Sequence, residues 1–453
     1  MRRLGFFASS MFLGFLACSD DPPAGGPFDA RSGQPDGTSS DVGVDDRDAG
    51  GGPDVDDAGE GPDLGDADAG ATDGHQGDAG DGGGSADGGP GDAGPFSCPI
   101  VEPDPGVRRP TNELIELGDS ASFAVNPCSG EIGYVWATRA GGARSEVFFR
   151  VLAKNGVDMS APVRLTVAPG ASYQPRVVFV RDRYVILWTD QRHDPFPDAC
   201  GPCREELYFA AVDLGGAVLL PERRLTDKPN AILHLTARGH AETDRVLATW
   251  VDRRNGTEIY AAFIGPDGTV DVERQVNEPN TGTEAYYPRP LWNGREWLIF
   301  YSDRPGSDHR YVRSIDPTGA MGSEVPVGWG YNQAADVHGG GYVTLASSTG
   351  AFGTSLLFLD AAFQPITELQ ATFANTHDGT WAIRSTGTSI WVTNGDGQGT
   401  GVNELNNLGV FLRSIDADPN DVGRPADVEM DLVGGRIVLE WHYTGFSLSV
   451  LQP

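Results

Sequence analysis

The chain has 453 residues and a net charge of −31, with 33 Lys and Arg against 64 Asp and Glu. No basic run interleaved with aromatics is present, which excludes a nucleic-acid-binding surface of the usual kind. Residues 19–97 hold nineteen Asp, one Glu and two Arg, a net of −18, so that residues 98–453 carry only −15 once Arg2 and Arg3 are counted.

In chain order, the first element is "MRRLGFFASSMFLGFLAC": two arginines, an apolar stretch from Leu4 to Ala17, and Cys18. The stretch is too short to span a bilayer comfortably and has the layout of a secretory signal peptide. With Leu16 and Ala17 before Cys18 and polar chain after it, it resembles a bacterial lipoprotein signal, although Phe15 stands where such signals usually carry Leu. The resemblance implies that Cys18 is the lipid attachment point and that the mature chain is exported. Acyl anchors bind by burying methylenes, each contributing about 0.8 kcal/mol. Ser19 next to the Cys implies the outer membrane or cell surface.

Residues 19–97 follow as an Asp-, Gly- and Ala-rich tract in which Asp-Ala-Gly recurs at Asp48, Asp57, Asp68, Asp78 and Asp92 at irregular intervals. With almost no large apolar side chains it cannot bury enough surface to offset chain entropy, and a disordered acidic tether is expected.

From residue 98 the pattern changes to short hydrophobic runs separated by Gly, Asn, Asp and Pro, without helical periodicity. A unit recurs: "YQPRVVFV", "YVILWTD", "ELYFAAVD" and "ERRLT" read as four successive strands, and "RVLATWVDRR" and "EWLIFYSDRP" open later copies of the second strand. Equivalent positions are Trp136, Trp188, Trp250, Tyr301, Leu345, Val392 and Trp441, about 50 residues apart. Hairpin turns "KNG", "LGG", "PDG" and "PTG" link third to fourth strands. Seven four-stranded units at this period predict an all-β, seven-bladed propeller over residues 98–453. The last unit stops after its third strand, and an N-terminal strand, read as "TNELIELG", is expected to complete it and close the ring.

Cys200-Gly-Pro-Cys203 is the tetrapeptide of thioredoxin-type enzymes, but that chemistry needs a helix N-terminus to stabilise a thiolate. Here a strand follows, so a disulfide between Cys200 and Cys203 is the expectation in an exported protein, with Cys98 and Cys128 left to pair. Four cysteines allow three pairings, and a metal site using His193, Asp198, Cys200 and Cys203 is the alternative. Metal ligands and cofactors are otherwise not called for.

Candidate ligand-binding residues fall in two groups. Asp190, Asp252 and Asp303 recur just after second strands, with Arg192, Arg254 and Arg304 close behind. They either ring one mouth of the channel with charge or hold their own turns, as Asp commonly does. Trp329 and Tyr331, like Tyr286 and Tyr287, are read as lying between blades, where aromatics stack on sugars or pack blades together. "DADPND", with Asp416, Asp418 and Asn420, lines up with the third-to-fourth-strand turns at Asp213, Asp316 and Asp360.

The whole organisation resembles bacterial propeller lipoproteins with Asp-Ala-Gly-rich linkers. The resemblance implies the lipid anchor and the propeller but fixes no one function; the first expectation is a surface-displayed binding module, a monomer, for a glycan or protein partner, rather than an enzyme. The alternative is a polysaccharide-active enzyme with two carboxylates at the propeller mouth, since glycosidic cleavage needs an acid on either side of the bond.

Overall fold

The computed structural model describes residues 98–452 except 109–119, 139–143, 155–157, 168, 194–203, 228–231, 241–243, 279–283, 305–308, 348–353, 372–381, 395–400, 417–427 and 443–445. The expected signal peptide, tether, Cys18, Cys200 and Cys203 lie outside the described residues. Of a few strand residues, Tyr331 and Trp441 among them, only the backbone is described.

Seven four-stranded antiparallel sheets succeed one another along the chain, the first six ordered from inside to outside as the chain runs. The innermost strands are Ala121–Val125, Ser172–Val180, Ile232–His240, Glu284–Trp292, Tyr331–His338, Ile383–Ser385 and Val428–Val433. All seven positions picked out from Trp136 to Trp441 fall on second strands. No helix occurs among the described residues.

The seventh blade takes its outer strand from the other end of the chain: Gly106–Arg108 pairs antiparallel with Phe446–Leu451, Val107 opposite Ser449. This corrects the expected register, because the closing strand precedes "TNELIELG", which lies outside the described residues. Residues 98–105 lead into it across the turns of blades one and seven. The Val101 amide donates to the Pro127 carbonyl, the Asp104 amide to that of Lys154, and Arg436 pairs with Glu102 at 3.1 Å. Cys98 is disulfide-bonded to Cys128 in this region, with the Cα atoms 5.5 Å apart.

Two further readings need correction. In blade six the third strand is Gly401–Asn406 and Phe411–Asp416 is the fourth, so Asp416 ends an outer strand rather than opening a turn. The turn belongs to Asn406, whose side chain accepts the Val410 amide as Asp213, Asp316 and Asp360 accept those of Ala217, Ala320 and Gln364. Short polar residues make this Asx turn interchangeably. Tyr286 and Tyr287, expected between blades, lie within the innermost strand of blade four.

The core sits between blades rather than within them. Second and third strands such as Arg183–Asp190 and Glu206–Asp213 are buried on both faces, because each blade is sandwiched by its neighbours. Their near-continuous hydrophobicity follows from that. The outer strand Val218–Arg224 is almost wholly exposed. Trp188 and Trp250 are fully buried, and burial of a side chain of that size removes roughly 200 Å² from water, about 5 kcal/mol before conformational entropy is subtracted. Blades one and two approach so closely that a Cβ at Gly133 would lie 2.4 Å from Cδ1 of Tyr184.

Candidate functional site

The recurrent aspartates are built into their own blades. Asp190 is fully buried and accepts hydrogen bonds from Trp188 Nε1 at 3.2 Å, Ser172 Oγ at 2.8 Å, the Arg192 amide at 2.9 Å and Arg192 Nη2 at 2.7 Å. Arg192 continues to Glu222 on the outer strand at 2.6 Å and lies 4.3 Å over the Tyr208 ring. Blade three repeats the arrangement: Trp250 Nε1 and Arg254 donate to Asp252, and Arg254 reaches Glu273 at 2.7 Å over the ring of Tyr260. In blade four Asp303 accepts the His309 amide at 2.7 Å and the Tyr311 hydroxyl at 3.2 Å. Burial by itself pushes the Asp190 carboxyl up, but the Arg192 hydrogen bonds and charge outweigh it and hold the group below its ordinary value. In blades two and three these are braces from second to outer strand, in blade four from second to third, and none of the three aspartates lines the channel cavity.

Trp329 ends the outer strand of blade four, is 66% exposed, and has its ring 4.0 Å from that of His309. Tyr331 opens the innermost strand of blade five, one residue after Gly330, whose φ of 93° suits the tight passage between blades. Among the described residues no group of three His, Cys, Asp or Glu is placed to hold a metal ion.

The charge at the centre of the ring comes from residues outside both groups. The residue just before each Trp136-equivalent position pairs with a residue of the innermost strand, and these partners share one depth. Four are charged: Arg176, Arg289, Arg384 and Glu429, opposite Leu187, Phe300, Trp391 and Glu440. Ser122, Thr236 and Ala335 complete the tier, opposite Val135, Thr249 and Thr344. Two residues further along their strands, Arg238 and Asp431 form part of a second tier, opposite Leu247 and Val438. Alternation along a strand sends residues two apart to the same face, here inward. All nine line one cavity of about 430 Å³.

Bulges set this alignment. In blades two, three and four the innermost strand slips register at Tyr173/Arg176, Leu233/Thr236 and Tyr286/Arg289. The residues inside the slips, Gln174, His234 and Tyr287, hold φ of 47°, 51° and 56°. Non-glycine residues adopt such angles only where the surroundings enforce them. Contacts to the next blade do so here: the Leu235 amide donates to Gln174 Oε1, Thr236 Oγ1 donates to the Pro288 carbonyl, and His234 lies 4.6 Å from the Tyr287 ring.

Both acids in the cavity wall are engaged. Arg176 pairs with Glu429 at 3.0 Å and Arg384 with Asp431 at 3.4 Å. Arg238 has no hydrogen bond or ion pair to its side chain among the described residues. The charge of Arg384, together with burial, pulls its guanidinium down to about 10, against the opposing pull of Asp431, Glu429 and Asp336. Asp336 lies outside the wall. Burial raises its carboxyl above the ordinary value although it accepts the Ser385 and Val337 amides.

The channel arginines do not stand out in the sequence because equivalent positions hold different residue types from blade to blade. The signal was present: Arg176 and Arg289 stand in "QPR" and "YPR" at the same distance before the second-strand aromatic, and counting back likewise from Val392 reaches Arg384 only once the strand lengths are known.

No protein-family model and no curated protein matches the chain. Among solved structures it is similar to an acylaminoacyl peptidase of Pyrococcus horikoshii, at 10% identity and a TM-score of 0.44, covering 74% of this chain and 52% of that one. The chain thus spans about half the length of that peptidase. It is also similar to the β-propeller domain of the Trilobed protease from Pyrococcus furiosus, at 9% identity and a TM-score of 0.44, covering 73% and 93%. Similarity to the Dos1 propeller is 11% in identity with a TM-score of 0.46, covering 75% and 82%.

Proposed function

We propose that this chain is a binding module, exported and lipid-anchored through Cys18, that holds its propeller out on the acidic tether and takes a glycan or protein partner at the channel. The observation that carries the reading is the cavity of about 430 Å³ at the centre of the ring. Ligand pockets typically measure a few hundred Å³ and mix apolar walls with a few convergent polar groups. This one combines Phe123, Val177, Phe179 and Pro290 with the arginines and Ser122 and Thr236. Its two carboxylates are tied to arginines by ion pairs, which suits positioning rather than proton transfer.

A second reading, a polysaccharide-active enzyme, would draw its acid from Asp336, on the innermost strand of blade five beside the cavity wall, whose carboxyl burial raises. The full chain, incubated with envelope and extracellular polysaccharides, decides between them. Saturable binding without new reducing ends is the outcome expected. New reducing ends that disappear in Asp336→Asn replace the binding module with the enzyme.

A further inference from the structure

We propose that the channel cavity recognises an oxyanion, a carboxylate or phosphate monoester borne by a sugar, by seating it against Arg238 and Arg384. The inference rests on the reading of the channel as the binding site and goes further by naming the chemistry of the ligand.

Count and placement of charge carry it. Four arginines reach the cavity wall from four different blades, against two carboxylates, each already in an ion pair. The cavity therefore holds more positive than negative charge, inside a chain whose total charge is strongly negative. Arg176 is tied down on several sides, to Glu429 and to the carbonyls of Leu235 and Ala121. Arg238 differs. Its side chain is exposed and opens onto the cavity, and among the described residues no protein group accepts its donors.

A guanidinium carries five N–H donors in a planar fork whose spacing fits a carboxylate or phosphate two bonds at a time. Among the described residues no protein group meets those donors, and the nearby charge of Arg384 is the first cause of the lowered pKa of Arg238. An anion placed between Arg238 and Arg384 would turn their repulsion into two attractions, in a recess where charges are screened less than at a surface. The remaining wall suits the body of a sugar, with Ser122 and Thr236 offering hydroxyls and Phe123, Phe179 and Pro290 offering apolar faces.

Three probes of similar size separate the possibilities: glucuronate, glucose 6-phosphate and glucose, titrated calorimetrically into the full chain at fixed ionic strength. The expected result is binding of one or both anions and none of glucose, the stronger anion identifying which oxyanion is preferred. Arg238→Gln should lower that affinity roughly tenfold or more, while its unliganded Tm equals or exceeds the parent's, because a crowded, unpartnered charge has been removed. Should Arg238→Gln not fold, Arg238→Lys, which keeps the charge without the fork, should show the same loss. Equal binding of glucose and the anions, or undiminished affinity in the variants, overturns the inference. If neither anion binds while polysaccharides still do, this inference fails and the binding module stands. If nothing binds, both fall.

Discussion

Replacing Asp190 by Ala separates a brace from a ligand group. The substitution takes an acceptor from Trp188 Nε1, Ser172 Oγ and Arg192, all within 3.2 Å of the carboxylate. Breaking a buried ion pair costs about 3–5 kcal/mol, and each buried donor left without an acceptor costs about 1–3 more. Arg192 keeps Glu222 at 2.6 Å, which moderates the loss, so a net of about 4 kcal/mol is expected. At about 2.1 cal/mol/K per residue, roughly 350 residues unfold with an entropy near 0.7 kcal/mol/K, which converts this into a fall in Tm of about 5 °C. Thermal unfolding followed by circular dichroism measures it, with Trp329→Ala as a control: at 66% exposure that ring should shift Tm by no more than about 1 °C. In the double variant Asp190→Ala/Arg192→Ala the two losses should be clearly less than additive, since both remove one interaction. A Tm within about 1 °C of the parent for Asp190→Ala, together with weakened ligand binding, would refute the reasoning and return Asp190 to the ligand site.

The same carboxylate predicts a pH dependence. Its folded-state pKa lies below the ordinary 3.8, so its stabilisation is complete above that value and is lost as pH falls through the lower folded-state one. The stability gap between parent and Asp190→Asn, measured by urea titration at stepped pH, should therefore narrow below about pH 4; a gap that widens on acidification contradicts it. Removing the Cys98–Cys128 disulfide by double Ser substitution opens a link across 30 residues and should cost about 3–4 kcal/mol in the chain-entropy treatment, read as a lower denaturant midpoint. Gly133→Ala should destabilise by about 1–3 kcal/mol, because the new methyl meets the Tyr184 ring; an unchanged midpoint would mean that the two blades separate easily.

How far the sequence could be read depended on whether a property was local. The aromatic of each second strand and the hairpin residues between third and fourth strands repeat with the blade, which made the blade count legible and placed Trp136 through Trp441 correctly. The strand that closes the ring was misplaced because three residues, Gly106–Arg108, carry too little pattern to recognise. In blade six the Asp of the repeat pattern points to Asp416, one strand beyond the turn, since Asn406 makes the turn that Asp makes elsewhere. Asp190 and Asp252 were visible as a pair with Arg two residues on, but whether a carboxylate faces the channel or its own blade depends on the side chains above it. Here Trp188 and Trp250 settle that orientation through their indole N–H groups.

Period determined the class of structure over the described residues: repeated two-sided hydrophobic strands that must be covered on both faces, which a ring of blades achieves. Only the tertiary structure decided what stands at the centre. Arg176, Arg238, Arg289 and Arg384 come from four innermost strands up to about 200 residues apart. Their shared depth is set by bulges in three of the blades and by pairing registers to the second strands. A single unaccounted residue in any of those strands would turn its arginine out of the channel, because the side-chain period of a strand is two.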